Sequence, residues 1–210
     1  MSQQQTISPR RAATRQRLLT AATTVIAERG VNGASVEAIC EEAGFTRGAF
    51  YSNFATKEDL LHDLMVAKHA GLLDGIRRIL DETDQAAPTN GVELIEDVVE
   101  KVLAANPVDR QSRLVDAEIG LFIVRNPELA PPLMRAMAPF REGLARLLVE
   151  GLERAGRRLV VDLDDAVNAI FAAYEAGSTW STAAHDEAEN LETCRRTLSL
   201  VIKAVSEPTV

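Results

Sequence analysis

Aromatic residues make up only 4% of this 210-residue chain. Ala, Leu and Val dominate an apolar fraction of 46%. That balance favours helices over strands, because Ala and Leu are good helix formers and the strand-forming aromatics are scarce. There are two cysteines, Cys40 and Cys194, far apart in sequence. This argues against a disulfide framework and fits reduced, buried thiols. No apolar run approaches the roughly 20 residues needed to span a bilayer, so no membrane partner is expected. The start, MSQQQTISPRRAATRQR, lacks the apolar core of a signal peptide; a cytoplasmic protein is the expectation. Also lacking are a Gly-rich phosphate loop after a strand, a nucleophile elbow and H-E-x-x-H. His62, His69 and His185 form no ligand cluster, and the first two sit seven residues apart on one helix. Neither an enzyme nor a cofactor or metal site is expected.

What is present is unevenly placed. Net charge is −8, yet residues 1–60 carry seven basic and six acidic side chains, against sixteen and twenty-five in 61–210. A basic end on an acidic body is the asymmetry expected when one end meets phosphate. Arg10, Arg11, Arg15 and Arg17 admit two readings: a solvated helix face, or a DNA-proximal one, with Arg10 and Arg11 better placed for an arm along the backbone. One or two domains fit the length, and the core needs no staples.

Periodicity predicts nine helices and no strand. Ser8-Pro9 opens the first, with Leu18, Ala22, Val25 and Ile26 recurring at helical spacing until Gly30. Ser35 introduces a second, ended by Gly44. Thr46 caps a short third, RGAFYSN. Thr56 and Asp59 make a capping-box start to a long fourth, reaching about Thr83. QAAPTNG reads as a loop. A fifth helix starts at Asn90, Asn106-Pro107 breaks it, and a sixth runs to Asn126-Pro127. The seventh fades at AGRR, and Asp164 caps the eighth. The ninth covers roughly 189–205.

The stretch AGFTRGAFYSNFATKEDL, residues 43–60, stands apart. Two short helices joined by a glycine turn and packed on a longer helix describe a helix-turn-helix, whose second helix enters the major groove of DNA. Gly44 supplies the turn, and Phe45, Phe50 and Phe54 pin a helix too short to stand alone. Thr46 and Arg47 fall at its exposed N-terminal end, where a hydroxyl and a guanidinium can meet phosphate or guanine. Gly48 lets the backbone approach DNA. Tyr51 and Asn53 add a hydroxyl and an amide, and Lys57 begins the next helix, where charge and backbone amides favour phosphate.

The run SVEAICEEAGFTRGAFYSNFATKEDL resembles the helix-turn-helix signature of the TetR family of bacterial transcriptional repressors. It supplies Ala38, Ile39, Ala43, Gly44, Thr46, Gly48, Tyr51, Phe54, Lys57, Glu58 and Leu60 in the family's order. Asn53 stands where the family often has His, and Phe45 replaces a more usual Val. The resemblance implies an all-α fold: a three-helix DNA-binding domain at 1–56, then a helical bundle for sensing and dimerisation at 57–210. It implies a dimeric, ligand-responsive repressor of a palindromic double-stranded DNA operator. By position, Ser35, Thr46, Tyr51 and Lys57 are expected on phosphates, and Arg47 and Gly48 facing bases.

The resemblance further implies a homodimer built from the last two helices and a small-molecule effector in a cavity among the middle ones. Val167, Ile170, Phe171, Tyr174 and Gly177 form one apolar stripe, with Trp180 beyond it; Leu191, Leu198, Val201 and Ile202 form another. They face either a partner or the protomer's own core. Candidate effector contacts are His69, Leu72, Val102, Arg113, Glu118, Phe122, Met134, Met137 and Phe140. Glu118 lies inside the apolar run LVDAEIGLFIV, where a carboxylate must find a partner or water. The two methionines are adaptable fillers, and a largely apolar effector is the expectation. Gly71 and Gly75 would either ease movement of the fourth helix or mark close packing.

Overall fold

The computed structural model describes residues 8–83, 91–105, 110–183 and 187–209, with side-chain surroundings given outside 177–190. The expected loop at 85–90, the break at Asn106-Pro107 and His185 lie outside the described residues; Gly177 and Trp180 lie in a helix but outside the described side chains. Two compact units emerge, one formed by residues up to 67 with 114–133, the other by 68–113 with 134 onward.

In the first unit, α1 spans Pro9–Gly33, with the Ser8 hydroxyl accepting from the Arg11 amide and Pro9 in the first turn. Gly30 adopts φ 70°, and the helix kinks there rather than ending. Helix α2 (Val36–Ala43) is capped by Ser35 Oγ, which accepts from the Ala38 amide at 3.1 Å. It closes in a Schellman turn at left-handed Gly44, with Gly44 and Phe45 amides bonded to the Glu41 and Cys40 carbonyls. Helix α3 (Arg47–Tyr51) has only five residues. Tertiary packing stabilises it, because Phe50 and Phe54 are almost wholly buried with Leu18, Ile26, Ile39 and Leu60. Thr56 and Asp59 form the reciprocal capping box that opens α4 (Lys57–Thr83).

The segment 114–125 of α6 (Arg110–Arg125), which follows α5 (Gly91–Ala105), belongs to this same core. Val115 and Ile119 are buried in it, with Phe122 and Ile123 packed on its edge. A 3-10 turn at Pro127–Leu129 follows.

The second unit joins residues 68–83 of α4, α5, α7 (Ala130–Arg154), α8 (Leu163–Ala183) and α9 (Glu187–Ala204). Ile95, Val99 and Leu103, four residues apart on α5, meet Leu152, Ala173, Cys194 and Leu198 in its core. Gly91 lets α5 start against the end of α7, where a Cβ would lie 2.0 Å from the Ala155 carbonyl oxygen. The described residues are otherwise helical, as the sequence implies, but the expectation of no strand is corrected. Arg157–Leu159 (β1) pairs antiparallel with Ser206–Pro208 (β2). Arg157 adds hydrogen bonds to the Ser206 carbonyl at 2.6 Å and the Lys203 carbonyl at 3.3 Å, satisfying the end of α9.

Candidate nucleic-acid interface and ligand cavity

The exposed end of α3 assembles from its caps outward. Thr46 Oγ1 accepts from the Ala49 amide at 3.2 Å, as Ser35 Oγ does from Ala38. Each hydroxyl therefore keeps its own proton to donate outward, and a phosphate oxygen is a fitting acceptor. Arg47 follows Thr46 and is largely exposed, 2.9 Å from the Glu37 carboxylate. A hydrogen bond with Tyr51, then the charge of Glu37, holds its guanidinium above the usual arginine pKa. Tyr51 is half exposed, braced edge-on by Phe50 at 5.4 Å. A Cβ at Gly48 would meet only Thr46 Oγ1 at 3.7 Å. The protein's own packing therefore does not demand glycine there.

Two residues expected at DNA are engaged within the protein. Asn53 is buried at 9% exposure, and its amide nitrogen donates to the Ala49 carbonyl at 2.8 Å. The Lys57 amine donates to the Val31 carbonyl at 2.9 Å and sits over the Phe122 ring. Both side chains hold the unit together instead of reaching outward.

A feature the sequence reading missed is a row of arginines on α1 that tie the reading helices down. Arg17 donates to the Ala43 carbonyl at the end of α2 and stacks on Phe45. Arg11 donates to the Ser52 carbonyl past α3 at 2.9 Å. Arg15 donates to the Asn53 carbonyl, pairs with Asp63 and covers Phe54. Desolvation pulls the Arg15 pKa down from its usual value. Their four- and two-residue spacing was legible; the carbonyls they meet were not. Arg10 remains exposed.

In the second unit α4, α5, α7, α8 and α9 line a half-open cavity of about 150 Å³. Leu80, Val98, Leu148, Ile170, Leu198 and Ile202 are among its fifteen lining residues, and every one is Ile, Leu, Val or Gly. Of the nine expected effector contacts, only Val102 lines it. His69 stacks on buried Phe140 at 4.3 Å, while Leu72 and Met137 are half-buried. Met134 is exposed at 63%. Arg113 is buried over the Tyr174 ring at 4.6 Å. Glu118 and Phe122 belong to the first unit.

The two apolar stripes also divide. Ile170, Leu198 and Ile202 line the cavity, and Tyr174 and Val201 pack on the core beside it. Phe171 and Leu191 stay exposed, as does Leu200, which neither stripe included. Within the protomer, the cavity-lining three face inward.

The family model for bacterial regulatory proteins of the tetR family matches residues 18–64, which contain α2, α3 and their caps. The HTH-type transcriptional regulator YdgC of Bacillus subtilis is 32% identical over 148 residues, covering 68% of this chain and 66% of that one. The chain belongs to the TetR family. The HTH-type nicotine-responsive transcriptional repressor HdnoR of Paenarthrobacter nicotinovorans is 25% identical over 167 residues, covering 75% and 84%. In fold the chain is similar to the fatty acid degradation regulator FadR of Bacillus halodurans, with a TM-score of 0.73, 23% identity, and coverage of 96% and 98%. This TetR-family protein is a helix-turn-helix transcriptional regulator and not an enzyme. Among the described residues no helix is long and apolar enough to cross a membrane.

Proposed function

We propose that the protein is a cytoplasmic repressor that binds a palindromic operator as a homodimer and leaves it when a small apolar effector fills the cavity. The division of labour would run from a DNA-binding part at 1–56 to a sensing and dimerising part at 57–210. The observation that carries the DNA reading is the exposed end of α3. Its caps Ser35 and Thr46 offer hydroxyl protons, Arg47 and Tyr51 project, and Gly48 has no internal reason to be glycine. Ser35, Thr46 and Tyr51 would take phosphates, while Arg47 reads a guanine edge past Gly48.

A single α3 is too short to hold an operator, so two copies on adjacent half-sites are required. Exposed Phe171, Leu191 and Leu200 on α8 and α9 supply the apolar face for pairing. Repression and responsiveness to a small molecule are what the name of the relative HdnoR carries. Helix α4 begins with Leu60 and Leu61 in the first core and ends with Ile76 and Leu80 on the cavity. Ligand would shift the population of α4 orientations by its differential affinity for them.

The test is selection from random duplex DNA at near-physiological salt, read by sequencing. A recovered palindrome supports the proposal and names the operator. No enrichment at any salt, with or without cell extract, would overturn it.

A further inference from the structure

We propose that Glu37 is a specificity-determining residue: by holding the Arg47 guanidinium it keeps that charge from phosphates and leaves it for a base edge. This rests on the reading of α3 as the helix that meets DNA, and adds a residue on α2 that governs what α3 selects. Charge on the two helices is lopsided. Helix α2 carries Glu37, Glu41 and Glu42 and no cation, while α3 carries Arg47 as its one charged residue. The connecting residues 44–46 carry none. Three carboxylates against one guanidinium leave α2 and α3 with no net attraction for a phosphate backbone. Arg47 is the one group on them whose charge favours it.

That group is already engaged. Arg47 Nη1 lies 2.9 Å from Glu37 Oε1, an ion pair joining the first turn of α2 to the first residue of α3. Tyr51 bonds the same guanidinium from the other end of α3, its ring centre 6.0 Å away. Both members of the ion pair are more than half exposed, at 62% and 58%, so the pair contributes little to stability and opens readily. What it changes is the choice of partner. To grip a phosphate, Arg47 must either leave Glu37 or draw the phosphate's charge close to a carboxylate. Salt does not screen that repulsion, because the Debye length is about 8 Å at physiological ionic strength. A guanine edge is neutral. It takes two of the five guanidinium N–H donors, and Glu37 can keep another. The carboxylate therefore penalises phosphate more than guanine, and specificity is a difference of affinities. An acidic residue in the first turn of α2 also suits the helix dipole, but that role does not depend on Arg47.

The experiment compares the full chain with its Glu37→Gln variant on two duplexes of equal length: the palindrome recovered by selection, and a random sequence. Fluorescence anisotropy across salt concentrations reads both affinities, and thermal melts of the same samples confirm folding. Random-duplex affinity should rise by up to about fivefold for each reading helix, the most that an exposed pair holds back. Its log–log salt slope should steepen by about 0.9 for each arginine released to a phosphate. Palindrome affinity should rise less, so the ratio of the two affinities falls. Glu41→Gln removes the same charge from an exposed position on α2 and should leave the ratio unchanged. Added to Arg47→Ala, Glu37→Gln should leave the ratio unchanged as well. A ratio unmoved by Glu37→Gln, with or without a shifted melt, would overturn the proposal. So would a ratio lowered equally by Glu41→Gln, or lowered equally when Arg47 is absent. In each of these cases a bound palindrome keeps the repressor reading and removes only the role of Glu37. A selection that returns no palindrome would overturn both.

Discussion

The Glu118 carboxylate accepts a hydrogen bond from the Val31 amide at 3.2 Å, immediately after the φ 70° kink at Gly30. On the other side of the same residue, the Lys57 amine takes the Val31 carbonyl. Helix α6 and the start of α4 thus hold the amide and the carbonyl of one residue in α1. The left-handed kink turns these groups outward from the helix ladder, and two charged side chains satisfy them.

A double-mutant cycle follows from this geometry. A Cβ at Gly30 would lie 2.6 Å from Glu118 Oε2 and in a backbone region that disfavours L side chains. Gly30→Ala is expected to lower stability by about 2–3 kcal/mol. Glu118→Ala leaves the Val31 amide without its acceptor and costs about 1–3 kcal/mol. In the double variant the clash is gone, so the combined loss should fall short of the sum by about 1 kcal/mol. Urea denaturation of the four proteins checks it, and strict additivity would show that the Gly30–Glu118 approach carries no energy.

At the tip of α3 stability and DNA binding should come apart. Arg47 is exposed and its ion pair with Glu37 is open to solvent, so Arg47→Ala should move the melting midpoint little. Gly48→Ala has room inside the protein and raises helix propensity, a gain of up to about 1 kcal/mol. Both should weaken operator binding, and Arg47→Ala should flatten its salt dependence if it meets a phosphate, or relax sequence preference if it meets a base. Band shifts at several salt concentrations, beside thermal melts of the same samples, separate these effects. Unchanged operator affinity in both variants would take α3 out of the interface.

These residues mark how far the sequence could be read. The helices were legible because each carries a local signal: Ser35 and Thr46 as caps, Gly44 as a left-handed stop, Leu18 to Ile26 at helical spacing. The destinations of long polar side chains were not. Lys57 at a helix start looks like a phosphate ligand, and Asn53 like a DNA contact, until tertiary packing gives one the Val31 carbonyl and buries the other. Glu118 was recognisable as a carboxylate needing a partner, but that partner lies 87 residues away. Ile170, Leu198 and Ile202 show a similar limit: periodicity finds an apolar face without saying whether a partner or a cavity meets it. The β1–β2 pair is three residues long on each side and nearly fifty residues apart, too short for alternation to register.

The thiols should be inert in the native state. Burial raises the pKa of both Cys40 and Cys194, with Glu37 adding to the effect at Cys40 and Arg113 opposing it at Cys194. Less thiolate is present near neutrality, and access is closed as well. Reaction with a chromogenic disulfide reagent at pH 7.5 should be much slower than in denaturant, with two thiols released only on unfolding. Fast labelling of either cysteine in native buffer would contradict its placement.

Acid sensitivity should localise to the grip between α5 and α9. Lys203 donates to Glu96 at 2.9 Å, and this hydrogen bond, then the charge of Lys203, holds the Glu96 pKa below the usual glutamate value. A depressed folded pKa contributes stability that is present above the unfolded value of about 4.3 and is lost as pH falls through the folded one. At neutral pH Lys203→Met should therefore melt slightly below the parent, by no more than an exposed pair contributes. Once pH has fallen below that depressed folded value, the Glu96 carboxylate carries a proton in both proteins, and the two melting curves should converge. A difference that persists to the lowest pH at which both proteins stay folded would mean that Lys203 acts through its aliphatic stem, with the charge irrelevant.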